Sequence, residues 1–141
     1  MHDVRIREAR PEDAEALASL AGELGYPSTA DQIASRLSAL PDDVVLVAEL
    51  GGAVAGWMQV GVVRSLESGT FAEVRGLVVT AAHRSSGIGA RLVAAGEEWA
   101  SGRGLTRMRV RSNVVRERTH AFYERHGYRT IKAQKVFDKP L

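Results

Sequence analysis

The sequence predicts an α/β fold, a mixed β-sheet with helices on both faces, in the order βααβββαβαβ with room for one further strand. Three observations predict it. Apolar residues recur at helical spacing in some segments. Between those segments lie short alternating or continuously apolar runs of the kind that make strands. Gly and Pro stand at the junctions. No Pro/Ser-rich linker, low-complexity tract or internal repeat interrupts the pattern, so residues 1–141 are expected to form a single domain.

Val4–Arg7 is the first strand, with Val4 and Ile6 on one face. Pro11 then takes a first helical position, with Glu12 and Asp13 in the acidic first turn. Ala14, Leu17, Leu20 and Leu24 mark the helix, and Gly25 ends it. A second helix is expected over Ala30–Leu40, with Ile33, Leu37 and Leu40 as its stripe and Pro41 as its stop. Val44–Leu50 and Ala53–Val63 read as a hairpin turned at Gly51-Gly52, with Gly56 and Gly61 as candidate bulge points. After the polar link Ser65–Thr70 comes the strand Phe71–Thr80, whose nearly all-apolar end argues for a central place in the sheet. A helix over Gly87–Ala100 carries Ile88, Leu92, Ala95 and Trp99 on one side and closes at Gly102 and Gly104. Thr106–Arg111 alternates, Met108 and Val110 facing one way and Arg107, Arg109 and Arg111 the other. A helix over Arg116–His126 is capped by Gly127, and Tyr128–Lys139 reads as two short strands or one bent one.

A chain of 141 residues that is 45% apolar and 26% charged can bury a core and stay soluble. No apolar run is long enough to span a membrane, and the N-terminus does not read as a signal peptide. The absence of cysteine removes disulfides, thiolate metal sites and thiol nucleophiles, and fits a cytoplasmic protein. No histidine–carboxylate spacing suggests a metal. Net charge is only +2, yet the pI is about 9.3, with arginine concentrated in 103–129. Two readings of that basic stretch are a nucleic-acid surface through Arg107, Arg109 and Arg111, and a local field for a phosphorylated cofactor. The near-balanced total and the few aromatics weigh against nucleic acid.

The chemistry is concentrated after the central strand. Leu77-Val78-Val79 leads into Arg84-Ser85-Ser86-Gly87-Ile88-Gly89-Ala90 and then an amphipathic helix. A helix N-terminus offers unpaired N–H groups and a positive dipole end. Gly87 and Gly89 let a phosphate approach the backbone, and Arg84 adds a charge that pairs with it. The segment lacks the Lys-Ser/Thr ending of a nucleotide P-loop and is too short for the dinucleotide fingerprint. Local chemistry alone supports an anion site, or equally a loop whose glycines only permit a tight turn.

Arg84–Gly89 resembles the Arg/Gln-x-x-Gly-x-Gly/Ala signature of the GCN5-related N-acetyltransferase (GNAT) family. Ile6-Arg7-Glu8-Ala9 with Asp13 resembles that family's opening strand and helix, Phe71–Val79 its central strand, and Phe122-Tyr123-Glu124-Arg125-His126-Gly127-Tyr128 its late aromatic segment. The likeness covers nearly the whole chain. It implies that Arg84, Ser85, Ser86, Gly87, Ile88, Gly89 and Ala90 hold the pyrophosphate of acetyl-CoA. It implies that the backbone of Leu77, Val78 and Val79 binds the pantetheine arm, and that the Val79 N–H polarises the thioester carbonyl. Tyr123 is then the acid that protonates the departing thiolate, and Glu73 the base that takes the amine proton.

Each role has a structural rival. Tyr123 is otherwise a core aromatic, although Phe122 already falls on the core stripe with Val115 and Thr119, which leaves Tyr123 to line the cleft. Glu73 is otherwise the ion-pair partner of Arg75, which shares its strand face. The likeness is not complete. Arg116 stands seven residues before Tyr123, where the family commonly has Asn, and Asn113 lies three residues earlier. Arg116 is therefore counted with the cofactor-binding residues. His83 and His120 rank as structural; Trp57, Gln59 and Tyr26 are candidates for the border of an acceptor pocket.

The expected function is transfer of an acetyl group from acetyl-CoA to a primary amine in one ternary complex, since no cysteine can carry a covalent acyl group. A small-molecule amine is the first expectation for the acceptor, and a protein lysine or N-terminus the second. The rival class is a sensor that binds acetyl-CoA without turnover. No metal, nucleic acid or membrane is expected as partner. A homodimer is compatible with a family whose members often pair.

Overall fold

The computed structural model describes residues 3–84, 86–112 and 116–141. The chain forms two compact units, Met1–Val110 and Arg111–Leu141. The first holds the whole sheet: β1 (Val4–Glu8), β2 (Val44–Leu50), β3 (Ala53–Ser65), β4 (Gly69–Val79) and β5 (Met108–Val110), with helices α1 (Ala14–Leu24), α2 (Ala30–Leu37) and α3 (Ile88–Gly102). The second contains α4 (Glu117–Arg125).

The five strands lie side by side in chain order. β1 to β4 are antiparallel, because short turns join β2, β3 and β4. β5 returns through α3 and is parallel to β4, as a helical crossover requires. Helices cover both faces. Trp57 Nε1 donates to the Leu17 carbonyl of α1 at 3.2 Å. Gly96 of α3 instead packs on Met58 and Val60, which alternate with Trp57 and therefore point the other way. Of the largest fully buried side chains, Met58, Val60, Ile88, Leu92 and Val93 lie between α3 and the sheet, while Val47 and Phe71, paired in register with Trp57 and Val63, lie on the face that α1 covers.

Local chemistry explains the element ends. Before α1, a single 3-10 turn spans Pro11–Asp13. Arg7 grips Asp13 through two bonds of 2.8 and 3.0 Å, and the Arg10 N–H adds a third at 2.7 Å. α2 starts at a reciprocal cap, where the Gln32 N–H donates to Thr29 Oγ1 at 3.1 Å and the Thr29 N–H to Gln32 Oε1 at 3.0 Å.

Several expectations need correction. Residues 128–141 carry no helix or strand, so the order is βααβββαβα. A strand needs a ladder partner, and the β pattern of Tyr128–Lys139 finds none among the described residues. The strand expected over Thr106–Arg111 is reduced to Met108–Val110, and α2 stops at Leu37 rather than Leu40. The buried side of α3 is Ile88, Leu92, Val93, Gly96 and Ala100; Ala95 and Trp99 are only half-buried at its edge, and the Trp99 ring carries the Arg103 guanidinium at 4.7 Å. Neither Gly56 nor Gly61 is itself the extra residue of a bulge. The register shifts show that Ala55 is the extra residue opposite β2, and Arg75 the extra residue opposite β3.

Candidate active site

The C-terminal half of β4 has one open edge. β5 pairs only with Ala72, Glu73 and Val74, so residues 75–79 have no strand on that side among the described residues. The Thr80 N–H donates to the Ala55 carbonyl at 2.8 Å. Backbone direction alternates along a strand, so Val78 also turns its groups toward β3, while Leu77 and Val79 turn theirs to the open edge. Arg84 Nε donates to the Val79 carbonyl at 3.3 Å, which leaves the Leu77 and Val79 N–H groups as donors on that edge.

The turn after β4 brings a helix start to the same end of the sheet. Ala81–His83 forms one 3-10 turn, and the Ser86 hydroxyl donates back to the His83 carbonyl. Gly87 then caps α3 in the left-handed region at φ 87°, a conformation costly for any residue with a Cβ. Ile88, Gly89 and Ala90 form the first turn, whose N–H groups precede the first intrahelical bond, Arg91 N–H to Gly87 carbonyl at 3.2 Å. A Cβ at Gly87 would meet nothing within 4 Å, so the space before the helix start is open. Ser85 lies outside the described residues.

Glu23 of α1 holds this turn in place. It accepts the Ala81 N–H at 3.0 Å and the Thr80 hydroxyl at 3.3 Å, and lies 3.9 Å from the Arg84 guanidinium. Nothing local in the sequence points to Glu23, because its partners lie 57 and 58 residues away. Arg84 keeps 56% of its side chain exposed, so an incoming anion can share it.

On the α1/α2 face of the sheet, Glu73 is buried and lies 3.6 Å from Arg75. Both readings of Glu73 therefore apply: it is an ion-pair partner, and it stands at a polar cluster beside a pocket. Arg75 Nε donates to Asp43 at 2.9 Å, and Gln59 donates to the same carboxylate at 2.7 Å. Gly61 is explained here, since a Cβ at that position would collide with the Arg75 guanidinium and the Asp43 carboxylate. Gly76 plays the matching part for Trp57, whose ring would lie 2.9 Å from a Cβ there. The adjoining pocket has a volume of about 310 Å³ and is lined by Tyr26, Trp57, Gln59, Arg75 and Gly76, with Leu17, Ala21 and Leu24 of α1 and Ile33, Arg36 and Leu37 of α2. The three residues expected at an acceptor pocket are thus gathered at one cavity.

In the second unit, Tyr123 is the buried residue of α4, and Phe122 is half-buried, the reverse of the expected stripe. Tyr123 has edge-on contacts with Phe122 at 5.1 Å and Tyr128 at 5.5 Å. Burial pushes its hydroxyl up to about 12, against a smaller opposing effect of the Arg116 charge. Arg116 occupies the cap position of α4, and its carbonyl accepts the His120 N–H at 3.1 Å. Asn113 and Val115 lie outside the described residues.

The arginines considered for nucleic acid have intramolecular partners. Arg109 and Arg107 stack on Phe71 at 4.3 and 4.6 Å, and Arg111 donates to Gln134 at 2.6 Å. Among the described residues, no group of three His, Cys, Asp or Glu side chains could hold a metal ion, and no helix is long and apolar enough to cross a membrane.

A strand with an open C-terminal edge, followed by a glycine-led helix start with free N–H groups, offers hydrogen bonds to an extended chain and a site for an anion. The comparisons agree with it. The sequence matches the Acetyltransferase (GNAT) family over residues 9–128, so the chain belongs to the GNAT acetyltransferase family. A search of curated proteins gives no match. Among solved structures, a transcriptional regulator from Bacillus halodurans is 25% identical with a TM-score of 0.85, covering 96% of this chain and 100% of that one. The aminoglycoside 6'-N-acetyltransferase AAC(6')-Ih from Acinetobacter baumannii is 18% identical with a TM-score of 0.85, covering 99% of each chain. The aminoglycoside N-acetyltransferase AAC(6')-Iy in complex with CoA is 16% identical with a TM-score of 0.88, covering 100% of this chain and 97% of that one. At such identities the last two show the shared fold alone.

Proposed function

We propose that the protein is an acetyl-CoA-dependent N-acetyltransferase acting on a primary amine of a small molecule. The observation that carries this reading is the open edge of β4 at Leu77 and Val79 beside the α3 start at Gly87. The Leu77 and Val79 backbones bind the pantetheine arm, and Val78 between them keeps β4 in the ladder with β3. The N–H groups at Gly87, Ile88, Gly89 and Ala90 bind the pyrophosphate, with Arg84 and Ser86 in the same turn; the family resemblance assigns Ser85 and Arg116 to the cofactor as well. The family match runs from residue 9 to residue 128, which supports one acetyltransferase domain drawn from both units. The expected location is the cytoplasm.

The amine attacks the thioester carbon, and the Leu77 N–H on the open edge, rather than that of Val79, steadies the oxygen that gains charge, because Val79 stands six residues, about 20 Å of extended strand, from Glu73. The C–S bond breaks as the C–N bond forms. Glu73 takes the amine proton, directly or through water, and Tyr123 gives its proton to the departing thiolate. A hydroxyl held near 12 stays protonated at working pH and is ready to donate. The CoA-bound aminoglycoside enzyme of the same fold supports a small-molecule acceptor. The regulator from Bacillus halodurans supports a second reading, in which acetyl-CoA is bound and sensed without turnover. A protein lysine or N-terminus is the alternative acceptor.

Calorimetric titration with acetyl-CoA tests the cradle. Gly87→Val puts a branched side chain at φ 87°, into the open space at the α3 start. Affinity should fall more than about tenfold while circular dichroism stays as in wild type, because the strain costs only about 1–2 kcal/mol. Unchanged affinity overturns the cradle. Release of CoA with a panel of amines then separates an enzyme from a sensor.

A further inference from the structure

We infer that the acceptor amine carries an oxyanion, which Arg36 binds at the mouth of the α1/α2 pocket. The inference rests on the acetyltransferase reading and narrows its substrate class. Charge selects it. The charged side chains lining this pocket are Arg36 and Arg75, and no carboxylate lines it among the described residues. Arg75 is already balanced by Asp43 at 2.9 Å and Glu73 at 3.6 Å. Arg36 is different. Its one hydrogen bond among the described residues goes to the neutral Ser28 hydroxyl at 3.1 Å, and no carboxylate lies within ion-pair distance. An exposed guanidinium on a pocket rim, held by a neutral partner and keeping free donors, suits a carboxylate or phosphate.

The rest of the pocket describes the body of the substrate. The Trp57 ring lies against Gly76, Tyr26 stands 71% exposed, and α1 and α2 supply leucine, isoleucine and alanine. A volume of about 310 Å³ takes a single small apolar or aromatic group. The amine end points toward Glu73, which lies past Arg75 on the same strand face. A polycation such as an aminoglycoside is disfavoured, because its ammonium groups would meet the unbalanced Arg36 guanidinium and no lining carboxylate.

Matched ligands read the pocket with and without turnover. 3-Phenylpropionate and its neutral amide, titrated calorimetrically into the intact protein, test binding alone. The acid should bind at least tenfold tighter than the amide, and Arg36→Gln should remove the difference, with Arg36→Lys restoring part of it. Equal affinities, or a preference that survives Arg36→Gln, overturn the inference. In the CoA-release assay, phenylalanine and its phosphonate analogue should both exceed phenylalaninamide in kcat/KM. The larger of the two tells carboxylate from phosphate. Arg36→Gln should raise KM for the acids while kcat stays within twofold. Kanamycin as the preferred acceptor also overturns the inference. Anion binding without any CoA release upholds the pocket and removes the enzymatic reading.

Discussion

Tyr123 shows how far a single residue can be read. Its place in the aromatic segment is what proposes it for the thiolate, and its burial bears on the protonation state that this proposed role requires. Buried against Phe122 and Tyr128, its hydroxyl is raised to about 12. A raised phenol is charged only above that value, so the acid form persists across the working range. Tyr123→Phe should lower kcat on the order of 10²-fold, the loss expected of a general acid. Acetyl-CoA affinity should stay near wild type, and the pH–rate profile of the native enzyme should show no fall due to this group below about pH 11. Full activity in the variant removes the role. The rotation of α4 that buries Tyr123 rather than Phe122 was not readable. Phe122 and Tyr123 are adjacent on a nine-residue helix and only about 100° apart, so periodicity alone does not decide which ring turns inward.

At the scale of elements, strands and helices were readable wherever local chemistry decides them: the Gly51-Gly52 hairpin, the Pro11 start, the Gly25 stop. Long-range pairings were not. The Arg75 bulge, Glu23 under the β4–α3 turn, and Asp43 behind Arg75 join residues far apart in sequence, and no periodicity encodes such distances. The join between β1 and α1 lies between these cases. Arg7 and Asp13 are six residues apart, and they form a bidentate pair with side chains only 11% and 10% exposed. The Arg7 bond holds the Asp13 carboxyl below its ordinary value, and the same bond raises Arg7. Because the folded value is the depressed one, the stabilisation is complete above the unfolded value of about 4 and is lost as pH falls through the folded value. Asp13→Asn should cost about 3 kcal/mol at pH 7, the low end for one broken buried pair, since Glu49 remains 3.6 Å from Arg7. Urea unfolding at pH 7 and below pH 4 checks it: the gap between the two proteins should narrow in acid. A gap independent of pH would show that shape, not charge, matters at this join.

For the whole molecule, the sheet was readable as a class and the last segment was misread. The β pattern of Tyr128–Lys139 is real, but β structure is a property of pairs of segments, and a sequence shows only one of them. What stands instead is a segment without helix or strand, with Ile131 60%, Val136 89%, Phe137 88% and Leu141 116% exposed. Apolar side chains this open on unpaired backbone favour pairing with another chain. This supports the homodimer that the family resemblance allows, with the tail of each copy at the contact. Sedimentation equilibrium at micromolar concentration should give a dimer. Val136→Asp with Phe137→Asp should shift it to monomer while circular dichroism stays unchanged, because exposed positions contribute little to the fold. A native monomer, or a double variant that remains dimeric, removes the tail from the contact. If the variant is monomeric yet binds acetyl-CoA as wild type does, the β4–α3 site is complete within one chain.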